Sequence, residues 1–108
     1  VNPTAVRVPV FYGHSEAVHL ETKTKISAKQ VRELLLSAPG VVVVDEHKAG
    51  GYPTPVTHAS GTDPVYVGRI REDISHPNGV NLWVVSDNIR KGAALNAVQI
   101  AELLASKR

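Results

Sequence analysis

The segment from Ser27 to Val44 constrains the fold more than any other part of the sequence. Ser27 and Gln30 form an S-x-x-Q pattern, in which the serine hydroxyl accepts the Gln30 backbone N–H and the Gln30 amide reaches back. That pairing starts a helix. Val31, Leu34, Leu35 and Ala38 then recur at i, i+3, i+4 and i+7, one apolar stripe. Pro39-Gly40 stops the helix. Residues 41–44 follow as an unbroken valine run, expected to be a strand buried on both faces.

Period-two alternation marks strands on either side of this unit. Residues 5–11 place Val6, Val8 and Val10 opposite Ala5, Arg7, Pro9 and Phe11. Pro9 cannot donate to a ladder, so this strand belongs at an edge or a bulge. Tyr12-Gly13 breaks the run, and residues 16–25 alternate again as a half-solvated strand. Residues 64–73 and 80–87 read as an antiparallel pair joined around His76-Pro77-Asn78-Gly79. Residues 46–63, rich in Gly and Pro, form a long loop of the kind that serves a function or packs on a neighbour. Asp87 or Asn88 caps a last helix whose stripe is Ala93, Ala97, Ile100, Ala101 and Leu104. The expected fold is α+β, a mixed or largely antiparallel sheet with helices on one face.

Composition removes several functional classes. The 108 residues are 43% hydrophobic and 20% charged, ordinary for a globular chain with one core. The +2 charge is dispersed, which argues against a nucleic-acid footprint. No apolar run approaches the roughly 18 residues of a membrane span, and no leader pattern opens the chain. Cysteine is absent, and with it disulfides, zinc–thiolate sites and cysteine catalysis within this chain. Methionine is absent as well, even at position 1, so the chain is expected to be a piece of something longer.

Two residues could carry chemistry on residue type and position alone. Arg7 is either a surface or interface arginine or a two-point clamp for a carboxylate or phosphate, which the planar guanidinium fork suits. His14 follows Gly13 at a strand end, where it is either a structural hydrogen-bonder or a general base. Asn88 stands at the start of the last helix. Arg69 and Arg71, two apart on a strand, share a solvated or subunit-interface face or a phosphate site. His19, His47, His58 and His76 lack metal-ligand spacing, so no metal is expected. Trp83 reads as a core or interface aromatic.

The run RVPVFYGHS at residues 7–15 and the longer run DNIRKGAALNAVQIAE at residues 87–102 resemble the C-terminal segment of aspartate-semialdehyde dehydrogenases. VGRIRED at residues 67–73 is similar to a strand of the same family. The resemblance implies the fold of the C-terminal domain of glyceraldehyde-3-phosphate dehydrogenase-like enzymes. It further implies that residues 1–108 are the C-terminal part of a catalytic and dimerisation domain. Residues 88–106 would then be a helix packing toward a nucleotide-binding domain outside this chain. By the same resemblance Arg7 binds the substrate carboxylate, His14 is the acid/base group, and Asn88 lies near the nicotinamide end of NADP. The implied reaction converts aspartyl phosphate and NADPH to aspartate semialdehyde and phosphate, in lysine, methionine and threonine biosynthesis. A cytoplasmic homo-oligomer, a dimer or dimer of dimers, is implied too, with neither nucleic acid nor membrane as partner.

One departure limits what the chain could do alone. The family's nucleophile is a cysteine, and this chain has none. No G-x-G-x-x-G loop occurs after a strand either. The segment is therefore expected to be inactive by itself. The alternative from another class is a non-catalytic binding or dimerisation module of the same fold.

Overall fold

The capping box forms as read. In the computed structural model, which describes residues 1–107, Ser27 Oγ accepts the Gln30 N–H at 3.2 Å and Gln30 Oε1 accepts the Ser27 N–H at 2.9 Å. Helix α1 (Ala28–Leu36) follows, with Val31 and Leu35 turned partly inward and Leu34 61% exposed. Four strands complete the sheet: β1 (His14–Glu21), β2 (Val41–Val43), β3 (Val65–Glu72) and β4 (Gly79–Ser86). Their order is β1-β4-β3-β2, with β2 parallel to β3 and the other neighbours antiparallel. The sheet is thus mixed and the class α+β. Helix α1 lies against β2 and β3. A five-residue π-helical turn (Pro55–Ala59) inside the long loop packs on β3 and β4.

Val80 and Val85 are an odd number of positions apart on β4 and so point to opposite faces. Both are fully buried, which shows that the sheet is covered on both sides there. Val67, Ile70 and Ala59 complete the buried apolar set.

Three expectations are corrected. Residues 5–11 form no strand: residues 1–12 are exposed and join no ladder of this chain. Alternation specifies two faces but not a partner, and Pro9 withholds one of the needed donors. The next strand begins earlier than expected, at His14, and ends at Glu21 rather than at residue 25. The valine run is not buried on both faces, because β2 is an edge strand of three residues and Val42 is 40% exposed. A short apolar run cannot by itself distinguish a central from an edge strand.

Strand β3 carries a bulge between Gly68 and Arg71, where two residues face the single Leu82 of β4. Arg69 adopts φ +53 there. Side chains replace the interrupted ladder. Asp45 Oδ1 accepts the Ile70 N–H at 3.3 Å, and Asp45 Oδ2 accepts Arg32 Nε at 2.9 Å. A Cβ on Gly68 would fall on the Val44 carbonyl oxygen and lie 2.7 Å from Pro53 Cδ, so only glycine lets the long loop close over the sheet here. Trp83 Nε1 donates to the Pro53 carbonyl at 3.0 Å and ties the same loop down.

The last helix starts with a π-helical turn (Arg90–Ala94) and continues as α2 (Leu95–Ser106). It packs on that turn, and none of its residues is buried. Ala97, Ile100, Ala101 and Leu104 of the apolar stripe stand exposed.

Candidate functional site

The candidate site lies where β1 begins and β4 ends. His14, the first residue of β1, pairs in register with Ser86, the last of β4. The two residues after Ser86 are Asp87 and Asn88, so antiparallel pairing alone brings the start of the last helix beside His14.

Asp87 organises the junction. It is 6% exposed, and three backbone N–H groups satisfy its carboxylate. Oδ1 accepts Ile89 and Arg90, each at 2.9 Å, and Oδ2 accepts Gly61 at 2.8 Å. The first two bonds cap the helix start. The third fastens the end of the long loop to it. The Arg90 N–H, then the Gly61 N–H, lower the Asp87 pKa below the ordinary aspartate value, with Ile89 and the Arg90 guanidinium adding to this against the opposing effect of burial. Arg90 Nη1 also reaches Asp63 Oδ1 at 2.9 Å, a second link from the helix to the loop.

Asn88 points the other way along the sheet edge. Its Oδ1 accepts the Gly13 N–H at 2.8 Å. Gly13 has φ +90, and a Cβ built on it would lie 2.9 Å from Pro55 Cβ and 3.2 Å from the Ser86 carbonyl oxygen. Both the conformation and the space demand glycine. Buried Pro55 thus forms the floor under the residue that precedes His14.

The His14 side chain is exposed, and among the described residues it makes no hydrogen bond, so the ring is available to a ligand. Arg7 is exposed too and has no ion pair or side-chain hydrogen bond among the described residues. The structure therefore joins Asn88 to the backbone of Gly13, the residue before His14, and leaves Arg7 on the unpaired N-terminal segment. From the sequence Asp87 and Asn88 are alternative caps. In the structure Asp87 caps while Asn88 reaches Gly13, and Gly61 is a third donor to Asp87. Only the Asp-Asn pair before the helix signalled anything.

Elsewhere, Arg69 and Arg71 flank a cleft with Ala17, Tyr52, Leu82 and Trp83. Arg71 Nη1 donates to the Arg69 carbonyl at 2.7 Å, across the bulge. Among the described residues no cluster of three His, Asp or Glu side chains is placed to hold a metal ion, and no helix is long and apolar enough to cross a membrane.

Comparison with known proteins bears on this geometry. The family model described as semialdehyde dehydrogenase, dimerisation domain, matches residues 1–91. The aspartate-semialdehyde dehydrogenase of Shewanella violacea is 66% identical over 104 residues, 96% of this chain and 30% of that protein. That of Legionella pneumophila is 67% identical over the same shares. Among solved structures, aspartate semialdehyde dehydrogenase II from Vibrio cholerae complexed with ASA superposes with a TM-score of 0.90 at 58% identity, covering 97% of this chain and 30% of that one. The chain therefore spans about 30% of the length of the relatives it matches.

Proposed function

The chain belongs to the aspartate-semialdehyde dehydrogenase family, and from that premise we propose that it is the substrate- and proton-handling segment of an NADP-dependent enzyme that reduces aspartyl phosphate to aspartate semialdehyde and phosphate. The supporting observation is the junction at Gly13–His14 and Asn88. It leaves a histidine ring unpartnered at the edge of a rigid sheet, next to an asparagine that can face a second ligand. In the direction of aldehyde oxidation, His14 takes the proton from the hydroxyl formed at the reacting carbon, and in reduction it returns one. Positioned proton transfer of this kind is worth about 10²- to 10⁴-fold. Arg7 holds the substrate's carboxylate by two parallel N–H···O bonds, a charge-assisted contact worth roughly 1.5 to 3 kcal/mol.

The nicotinamide cofactor supplies the hydride when bound. Asn88 fits its carboxamide end: Oδ1 is committed to Gly13, while Nδ2 has no partner among the described residues and offers two donors to an acceptor. The thiol nucleophile and the dinucleotide-binding fold belong to the remainder of the enzyme, as this chain has no cysteine. Exposed apolar side chains support burial against that remainder or a second subunit. Val6, Val8, Phe11, Leu34, Leu36, Leu103 and Leu104 are all more than half exposed. We take the assembled enzyme to be a cytoplasmic homo-oligomer, a dimer or dimer of dimers, in lysine, methionine and threonine biosynthesis.

The test compares the full-length enzyme with the pure 108-residue chain. With aspartate semialdehyde, phosphate and NADP, the full-length protein is expected to form NADPH in a phosphate-dependent manner, and the chain alone is expected to stay at the blank rate. Turnover by the chain alone, or none by the full-length protein, would overturn the proposal.

A further inference from the structure

We propose that Asn88 is a positioning residue for His14: by accepting the Gly13 N–H it fixes the backbone from which the imidazole projects, and so couples the cofactor end of the site to the acid/base group. The inference rests on the reading of His14 as that group.

His14 makes the last rung of the β1–β4 ladder. Upstream of it the chain leaves the sheet, and residues 1–12 are exposed. Between the rung and that free segment stands Gly13, at φ +90, a backbone state that glycine enters without steric cost but that nothing in glycine itself maintains. Two outside groups hold it. Pro55 blocks one side, and Asn88 Oδ1 receives the N–H at 2.8 Å. The Pro55 contact restricts movement without directing it, whereas the hydrogen bond has a direction. Asn88 is itself held, because Asp87 immediately before it is bonded to Gly61, Ile89 and Arg90. Without the Asn88–Gly13 bond the ladder would fray at its last rung, which would let the His14 ring shift and would redirect the segment that carries Arg7. A misplacement of about 1 Å costs on the order of a hundredfold in rate.

Atom assignment makes the idea separable from a simple cofactor contact. A backbone N–H needs an acceptor, so Oδ1 is the atom facing Gly13, and Nδ2 is the atom left for a ligand. Asn88→Asp keeps the acceptor and loses the donors. Asn88→Ala loses both. Neither removes the helix cap, which Asp87 supplies, so both are expected to fold.

The experiment uses full-length enzyme with both variants, measuring kcat, KM for NADP and hydrogen–deuterium exchange at the Gly13 amide in cofactor-free protein. Asn88→Ala is expected to lose Gly13 protection and to lower kcat by about ten- to a hundredfold. Asn88→Asp is expected to keep the protection and to lose less kcat than Asn88→Ala, with KM for NADP raised, since the carboxylate keeps the acceptor but puts a negative charge where the donors stood. In a His14→Asn background, Asn88→Ala is expected to lower kcat no further, because on the proton-transfer step the two residues act as one unit. The proposal is overturned if Asn88→Ala leaves Gly13 protected, if both variants lose the same kcat, or if the two substitutions multiply. If His14→Asn alone retains the wild-type rate, the acid/base reading fails, and the exchange data still report separately on the tether.

Discussion

Replacing Asp87 with alanine should unfasten two elements at once. Its carboxylate caps the last helix through Ile89 and Arg90 and holds the end of the long loop through Gly61, all within 2.9 Å. Loss of a cap costs about 1 kcal/mol. Loss of a charge-assisted bond that leaves a partly buried N–H unpaired costs about 1.5 to 3 kcal/mol. The expected loss is therefore about 3 kcal/mol, which at about 4 to 8 °C per kcal/mol lowers Tm by at least about 10 °C in a chain of this size. Asp87→Asn separates the parts. Asparagine caps as well as aspartate does, but its Nδ2 would face the Gly61 N–H donor to donor, so it should lose only the loop tether, about 2 kcal/mol. The pH dependence has a defined sign. Because hydrogen bonding lowers the folded pKa, Asp87 contributes stability above its unfolded value, near 3.9, and that stability is lost as pH falls through the still lower folded value. Urea unfolding of wild type and both variants at pH 7 and pH 3 measures all of this. An Asp87→Ala chain within about 0.5 kcal/mol of wild type would mean that Asp87 fastens neither element.

Arg7→Lys in the full-length enzyme should raise KM for aspartate semialdehyde more than it lowers kcat, since lysine keeps the charge and loses the fork; steady-state kinetics with an unchanged KM would remove Arg7 from carboxylate binding. Gly68→Ala should destabilise the chain by about 1 to 3 kcal/mol, because the added methyl meets the Val44 carbonyl and Pro53, neither of which is a flexible side-chain end. Its urea midpoint is the readout, and an unchanged midpoint would mean that the loop re-seats freely.

Signals confined to neighbouring residues were readable in the sequence. The Ser27–Gln30 box, the Pro39-Gly40 stop and the cap before the last helix depend on residues within one turn of each other, and the β3–β4 hairpin joins strands that are consecutive in sequence. The misread elements needed knowledge of a partner. Residues 5–11 alternate as a strand should, yet no strand of this chain pairs with them. The valines at residues 41–44 look central and sit at an edge. The bulge at Arg69 is set by the Asp45 and Arg32 side chains, far from it in sequence. At the site, residue types pointed to Arg7 and His14 and the family resemblance to Asn88, but the bond between Asn88 and Gly13 spans 75 positions and left no local trace.

The most direct test of the central claim is kcat against pH for His14→Asn in the full-length enzyme, with Tm and NADP affinity measured alongside. Asparagine can reproduce one ring nitrogen's hydrogen bond but cannot titrate. If His14 is the acid/base group, the variant keeps native-like Tm and NADP affinity, loses at least about a hundredfold in kcat, and loses the pH limb that an imidazole base contributes. A near-normal kcat with that limb intact, or a lowered Tm with the rate of the folded enzyme preserved, would contradict that role and make His14 a structural residue.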